Sequence, residues 1–337
     1  MRISLLVSAI LALTILCSPL IAQKSTTVAF YNVENLFDTD DDPSINDQEF
    51  LPDAEVAWTQ ERYQQKLINI SKVLSSIDPE ESPSLIGLCE IENRKVLNDL
   101  IIQPDIEKQN YQVVHFESPD ERGIDCALLY RKSEFKYFSS QVIHVALTGD
   151  NTRDILYVKG SFKISPKDTV HVFVNHWPSR SEGKEVSEPK RIIAAKTLRH
   201  ATDSILTRDP ETHILVMGDF NDEPEDKSLA TTLQAFTPVT ITQSDRLYNL
   251  MFSLYRSKKG TLYYKDWDVF DQFIVSGSFL SGHTEELQCD REGKAFEPEW
   301  VMFTDDNGNL RPNRTKGKTY YGGYSDHLAV YLKLFVK

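Results

Sequence analysis

A chain of 337 residues, 26% of them charged and with a formal net charge of −13, has room for one large domain or two ordinary ones. The acidic balance argues against a surface that grips nucleic acid by bulk electrostatics. It leaves a phosphate substrate open, because a divalent cation held by carboxylates would supply the local positive field.

Taken in chain order, the first segment, MRISLLVSAILALTILCSPLIAQKS, reads as a secretory signal peptide. One basic residue, Arg2, precedes an apolar run, and Leu20-Ile21-Ala22 follows as a cleavage site. The run is broken by Ser, Thr and Pro and is short for a bilayer span, and the large Leu16 argues against lipid attachment at Cys17. The expectation is an exported chain, periplasmic, outer-surface or secreted, with residues 1–22 removed and residues 23–337 forming one domain. No later segment is apolar enough to cross a membrane, and a monomer is expected. Cys89, Cys126 and Cys289 make no disulfide framework; the first two sit in apolar strand-like runs as small buried hydrophobes.

A strand, TTVAFYNV, opens the domain and runs into the acidic loop DTDDDPSINDQEFLPD, which lacks the Gly and terminal Glu spacing of a Ca²⁺ loop. From Thr59 to Ile77 the apolar positions Tyr63, Leu67, Ile70, Leu74 and Ile77 recur at helical spacing, with Thr59 as cap. Next come a strand, SLIGLCE, a short helix after Asn93, and strands at Tyr111–Phe116, Cys126–Tyr130, Val142–Ala146, Ile155–Phe162 and Val170–Asn175. A long helix covers Glu188–Leu206, with Ile192, Ala195, Leu198 and Ile205 on one side. HILVMGD then forms a buried strand, and later strands fall at Phe270–Val275 and Leu328–Phe335. Strands outnumber helices, and the helices fall between them, which is an α/β pattern with no linker dividing it.

Several of these strands end in polar clusters: Asn32-Val33-Glu34-Asn35, Glu90-Ile91-Glu92-Asn93, Asn175-His176-Trp177-Pro178-Ser179-Arg180, Asp219-Phe220-Asn221, Asp268-Val269-Phe270-Asp271 and Ser325-Asp326-His327. Each alone reads as a turn or a solvated loop charge. Jointly they gather Glu, Asp, Asn and His at strand ends, where ligands bind in such sheets. Oxygen ligands without a Cys/His cluster favour Mg²⁺, Mn²⁺ or Ca²⁺ over zinc, and two His would bring proton transfer near neutral pH. A phosphoester hydrolase needs these parts.

YNVENLF, GLCEIEN, NHWPSR, GDFND, DQFIVS and SDH, in this order from Asn32 to His327, resemble the endonuclease/exonuclease/phosphatase superfamily. The resemblance implies a four-layer α/β sandwich, two packed and mainly antiparallel β-sheets flanked by helices. It implies a divalent metal, Mg²⁺ or Mn²⁺, held by Glu90 with Asn32 and Asp326. Asp219 would orient or deprotonate the attacking water, and Asn221 would donate to a phosphoryl oxygen. His327 would pair with Asp271, and His176 would bind phosphate or give a proton. Arg153 stands where some members contact phosphate, Asn32 would also touch substrate, and Asp125 would orient His176.

The substrate expected is a phosphodiester, nucleic acid above all. A phosphomonoester, a lipid phosphodiester of the sphingomyelin type and a non-catalytic binding module on the same fold are the alternatives. Basic clusters at Arg180, Lys184, Lys190 and Arg191 and at Arg311, Arg314, Lys316 and Lys318 could track a polyanion, and Tyr320, Tyr321 and Tyr324 could stack on bases. Asp222, next to the ligand pair, is expected to face away and to tolerate Ala.

Overall fold

The computed structural model describes residues 24–238, 243–283 and 285–336; the signal-peptide reading of residues 1–22 lies outside them. Among the described residues two seven-stranded sheets face one another. The first runs β14 (Leu287–Cys289), β18 (Val330–Val336), β1 (Lys24–Leu36), β2 (Leu85–Ile91), β4 (Asp125–Arg131), β3 (Tyr111–His115), with β15 (Lys294–Ala295) also on β18. The second runs β5 (Phe135–Ile143), β6 (Ile155–Phe162), β7 (Val170–His176), β8 (His213–Asp219), β13 (Asp271–Ser276), β10 (Leu247–Asn249), β9 (Ala235–Phe236). Both are mixed: β1–β2, β7–β8 and β9–β10 are parallel, and the other pairings are antiparallel. Two short ribbons, β11–β12 (Leu262–Tyr263, Trp267–Asp268) and β16–β17 (Met302–Thr304, Leu310–Pro312), complete the set.

Strand alternation assigns each side chain to a layer. On β1, Val28 and Phe30 enter the core between the sheets, while Ala29, Tyr31 and Val33 pack outward with α1 (Gln60–Ser76) and α2 (Arg94–Ile101). On β8, Leu215 and Met217 face inward, and Ile214 and Val216 pack outward against α3 (Lys184–Leu206). The result is helix, sheet, sheet, helix, the four layers expected. No described helix is long and apolar enough to cross a membrane.

Candidate active site

The inward row that builds the inter-sheet core turns polar at one end. Val172, Val174 and then His176 share a face of β7; Leu215, Met217 and then Asp219 share one of β8; Asp271 precedes Phe273 and Val275 on β13. Register sets His176 opposite Asp219, and Asp219 opposite Asp271. Asn32 continues the Val28–Phe30 row of β1 from the facing sheet. The site is therefore the last layer of the core, with oxygen and nitrogen in place of methyl groups. Because β13 is antiparallel to β8, Asp271 stands at its strand's start rather than its end.

Glu90 breaks the alternation. It is the extra residue of a bulge in β2, where the register shifts between Cys89 and Ile91, and its φ is 61°. The bulge turns its carboxylate toward Asn32. Gly218, just before Asp219, must be glycine: a Cβ there would stand 2.4 Å from the Asn175 carbonyl oxygen of the neighbouring strand.

Hydrogen bonds hold the group together. Asn32 Nδ2 lies 3.0 Å from Asp219 Oδ2 and 3.3 Å from Glu90 Oε1, so one amide joins the two sheets' carboxylates. His176 Nε2 is 3.6 Å and His327 Nε2 3.8 Å from Asp219 Oδ2. His327 Nδ1 sits 2.7 Å from Asp271 Oδ2, the pair expected. Asn221, at φ 50°, donates its backbone N–H to Asp219 Oδ1 (2.9 Å) and its side-chain amide to the Trp177 carbonyl (3.0 Å). Left-handed backbone is a conformation Asn tolerates better than most residues.

These contacts separate the titration behaviour of the three buried groups. Burial raises Asp219 to about 6, against the pull of His327. Burial opposes charge on His327, yet the Asp271 carboxylate, reinforced by Asp219, holds it well above the ordinary histidine value. Burial, with Arg153 and Arg122 nearby, pushes His176 well below that value, so it is neutral. At neutral pH the site thus offers a basic carboxylate beside a charged imidazole. The rate should rise with pH as Asp219 deprotonates near 6 and fall on the alkaline side as His327 loses its proton. Asp271→Asn removes the charge that raises His327, so kcat/KM measured against pH should show the alkaline limb moved to lower pH. An unmoved limb would detach that limb from the pair.

The donor set suits a hard divalent cation. Glu90 offers a carboxylate in the pocket lining, and Asp219, Asp271 and His327 bring ligand atoms within 4.8 Å of one another, His327 as a ligand only once its proton is lost. Asn32 faces the site with its amide nitrogen, its oxygen accepting from the Glu34 N–H at 3.0 Å. Asp326 adjoins His327, but its carboxylate accepts from Arg314 Nη2 at 3.0 Å. Arg314 also bonds Glu34, a buried residue of the YNVENLF stretch given no role from sequence. Buried Lys66 holds the Thr315 hydroxyl and the Tyr324 carbonyl beneath the same loop. Nothing in a helical repeat marks such a lysine, since it lies beside Leu67 on the buried side of α1.

Other placements differ from expectation. Asp125 does not orient His176: it bonds His115 Nε2 at 2.9 Å. His115 stands opposite Ala127, which makes Asp125 its diagonal neighbour on the same sheet, whereas His176 belongs to the other. His176 Nδ1 finds no hydrogen-bond partner among the described residues. Arg153 lines the pocket, with its terminal nitrogens on Asp120 Oδ2 (2.9 Å) and the Trp177 carbonyl (2.6 Å). The basic clusters are mostly spent on acids: Arg180 on Asp222 and Asp226, Lys184 on Asp226, Lys190 on Asp150 and Glu182, Arg314 on Glu34 and Asp326, Lys316 on Glu49. Tyr320 packs against Trp58 and Arg62, and Tyr324 against Trp300; only Tyr321 of the three is exposed. Asp222 does point away from the pocket, yet it is buried among arginines, so tolerance of Ala is not to be expected.

Two sheets, this inward polar row and a histidine–carboxylate pair define a phosphoesterase-type fold. The chain belongs to the endonuclease/exonuclease/phosphatase family, whose sequence model matches residues 27–336. Solved structures with the same fold include the human nocturnin catalytic domain with a bound sulfate anion (17% identity, TM-score 0.55, covering 93% of this chain and 95% of that one). A Bacteroides thetaiotaomicron protein of the family matches at 15% identity and TM-score 0.54, covering 94% and 99%. D. rerio TDP2 complexed with a single-strand DNA product matches at 15% identity and TM-score 0.53, covering 92% and 98%. No curated protein sequence matches this one.

Proposed function

We propose that the protein is an exported hydrolase that cleaves phosphodiesters, nucleic acid foremost, with a water activated at Asp219. The observation that carries this is the Asn32 amide, which binds Asp219 and Glu90 together beneath one open pocket. Glu90 is the pocket carboxylate to hold the cation, Mg²⁺ or Mn²⁺, and Asp326 would join it only on leaving Arg314; when bound, the cation would neutralise phosphoryl charge. Asp219 accepts the water's proton, Asn221 and neutral His176 donate to phosphoryl oxygens, and charged His327, steadied by Asp271, faces the developing negative charge and gives its proton to the leaving oxygen as the P–O bond breaks. The single-strand DNA product held by the D. rerio relative supports nucleic acid over phosphomonoesters and sphingomyelin-like lipids. Retention of every one of these groups favours an enzyme over a binding module.

The test is hydrolysis of bis(p-nitrophenyl) phosphate, oligonucleotides, inositol phosphates and sphingomyelin by the purified protein. EDTA should abolish turnover and Mg²⁺ or Mn²⁺ restore it, and Glu90→Gln should raise the metal concentration required. Full activity in EDTA would overturn the metal-dependent reading, and cleavage of lipid or sugar phosphate alone would overturn the preference for nucleic acid.

A further inference from the structure

The cavity above Asp219 and Asn221 has a volume of about 310 Å³, at the low end of the roughly 300–1,000 Å³ of small-molecule sites. Three segments wall it: 120–122 before β4, 147–153 before β6, and 178–182 before α3, with Lys190 of α3 behind the last. Ion pairs join wall to wall. Arg153 meets Asp120 at 2.9 Å out of solvent, and Lys190 meets Asp150 at 2.7 Å and Glu182 at 3.0 Å. Exposed pairs of the latter kind are weak, so these walls exclude by charge and position rather than by stiffness.

The charge is the wrong sign for a strand passing through. An internal phosphodiester brings a phosphate on each side of the one being cut, and both must leave across the rim. There they meet walls with four carboxylates, Asp120, Glu121, Asp150 and Glu182, against three cations, Arg122, Arg153 and Lys190; Arg153 is spent on Asp120 and Lys190 on Asp150 and Glu182, which leaves a surplus of negative charge. Arg122, about half exposed and 3.9 Å from Glu90, is the wall cation that greets an incoming anion before it reaches His327. A chain end or a small ester needs only one way in.

We infer that the substrate is a compact or chain-terminal phosphoester, and that the acidic walls bar internal segments of a continuous strand. This rests on the phosphodiesterase reading above. The experiment compares bis(p-nitrophenyl) phosphate, a linear single-stranded oligonucleotide and a covalently closed single-stranded circle at one fixed salt concentration, since salt alone shifts polyanion binding. The small ester is expected to be hydrolysed and the circle to resist by at least about tenfold relative to the linear strand, or both polymers to resist. Equal cleavage of circle and line overturns the inference, whereas no metal-dependent hydrolysis of any substrate overturns the phosphodiesterase reading instead. In a second arm, Asp150→Ser/Glu182→Ser removes wall charge and frees Lys190. The rate on the circle relative to the small ester should then rise about tenfold; an unchanged ratio would show that the walls are not the barrier.

Discussion

Replacing His327 by Ala should lower kcat/KM for metal-dependent hydrolysis by ~10²–10⁴-fold, the usual loss when a proton-transfer group is deleted. Asp219→Ala should cost at least as much, and the double variant far less than the product of the two, because groups that act together on one phosphate are not additive. The geometry gives the reason: both side chains converge within 3.8 Å. His327→Ala also carries a stability cost that a solvent-facing histidine would not. Asp271 is fully buried, its Oδ1 has no partner among the described residues, and its Oδ2 would lose the imidazole. Unfolding in urea should therefore show His327→Ala destabilised and His327→Ala/Asp271→Ala partly recovered, with neither recovering activity. Activity restored by the second substitution would reduce His327 to a stability role.

The sequence showed this site because the strands that carry it are buried on both faces. Ile155–Phe162 is found as β6 at the residues expected, and the helix expected from Thr59 as Gln60–Ser76 on its apolar period, with Thr59 at the N-cap position but without a side-chain capping bond. The expected strand at Val142–Ala146 is instead the end of a longer one, Phe135–Ile143. That strand lies at the sheet's edge, largely exposed and bulged between Tyr137 and Ser139, so no apolar alternation announces it. Pairing of side chains across the fold was illegible for a different reason. Asp125 with His115, Arg153 with Asp120 and Arg314 with Asp326 each join segments whose register only the folded sheets define. The same limit misjudged α3, which starts at Lys184 and runs through Pro189. Ala195 and Leu198 of the expected face are buried and Ile205 packs partly against the core, but Arg191, Ala194 and Leu206 are buried beside them and Ile192 is not.

That arginine makes Asp222, outside the pocket lining, a buried counter-charge. Arg191 is fully buried, with Nε 2.7 Å from Asp222 Oδ1 in an ion pair that is not an aimed hydrogen bond. Arg180 Nη2 lies 2.9 Å from the same oxygen, and the Ser228 hydroxyl donates to Oδ2 at 2.6 Å. Removing one partner of a buried pair leaves the other charge uncompensated, at a typical cost of ~3–5 kcal/mol. Asp222→Ala should lose about that much stability in urea unfolding, far above the ~0.5 kcal/mol of an ordinary surface change. Asp222→Ala/Arg191→Leu should recover a substantial part, since removing both charges spares the buried one. Activity should fall with stability, because the two arginines also bind the Pro178, Ser179 and Asn221 carbonyls and so fix the loops beside His176 and Asp219. A stable Asp222→Ala protein would mean that Arg191 reaches water or another acid when its partner is gone.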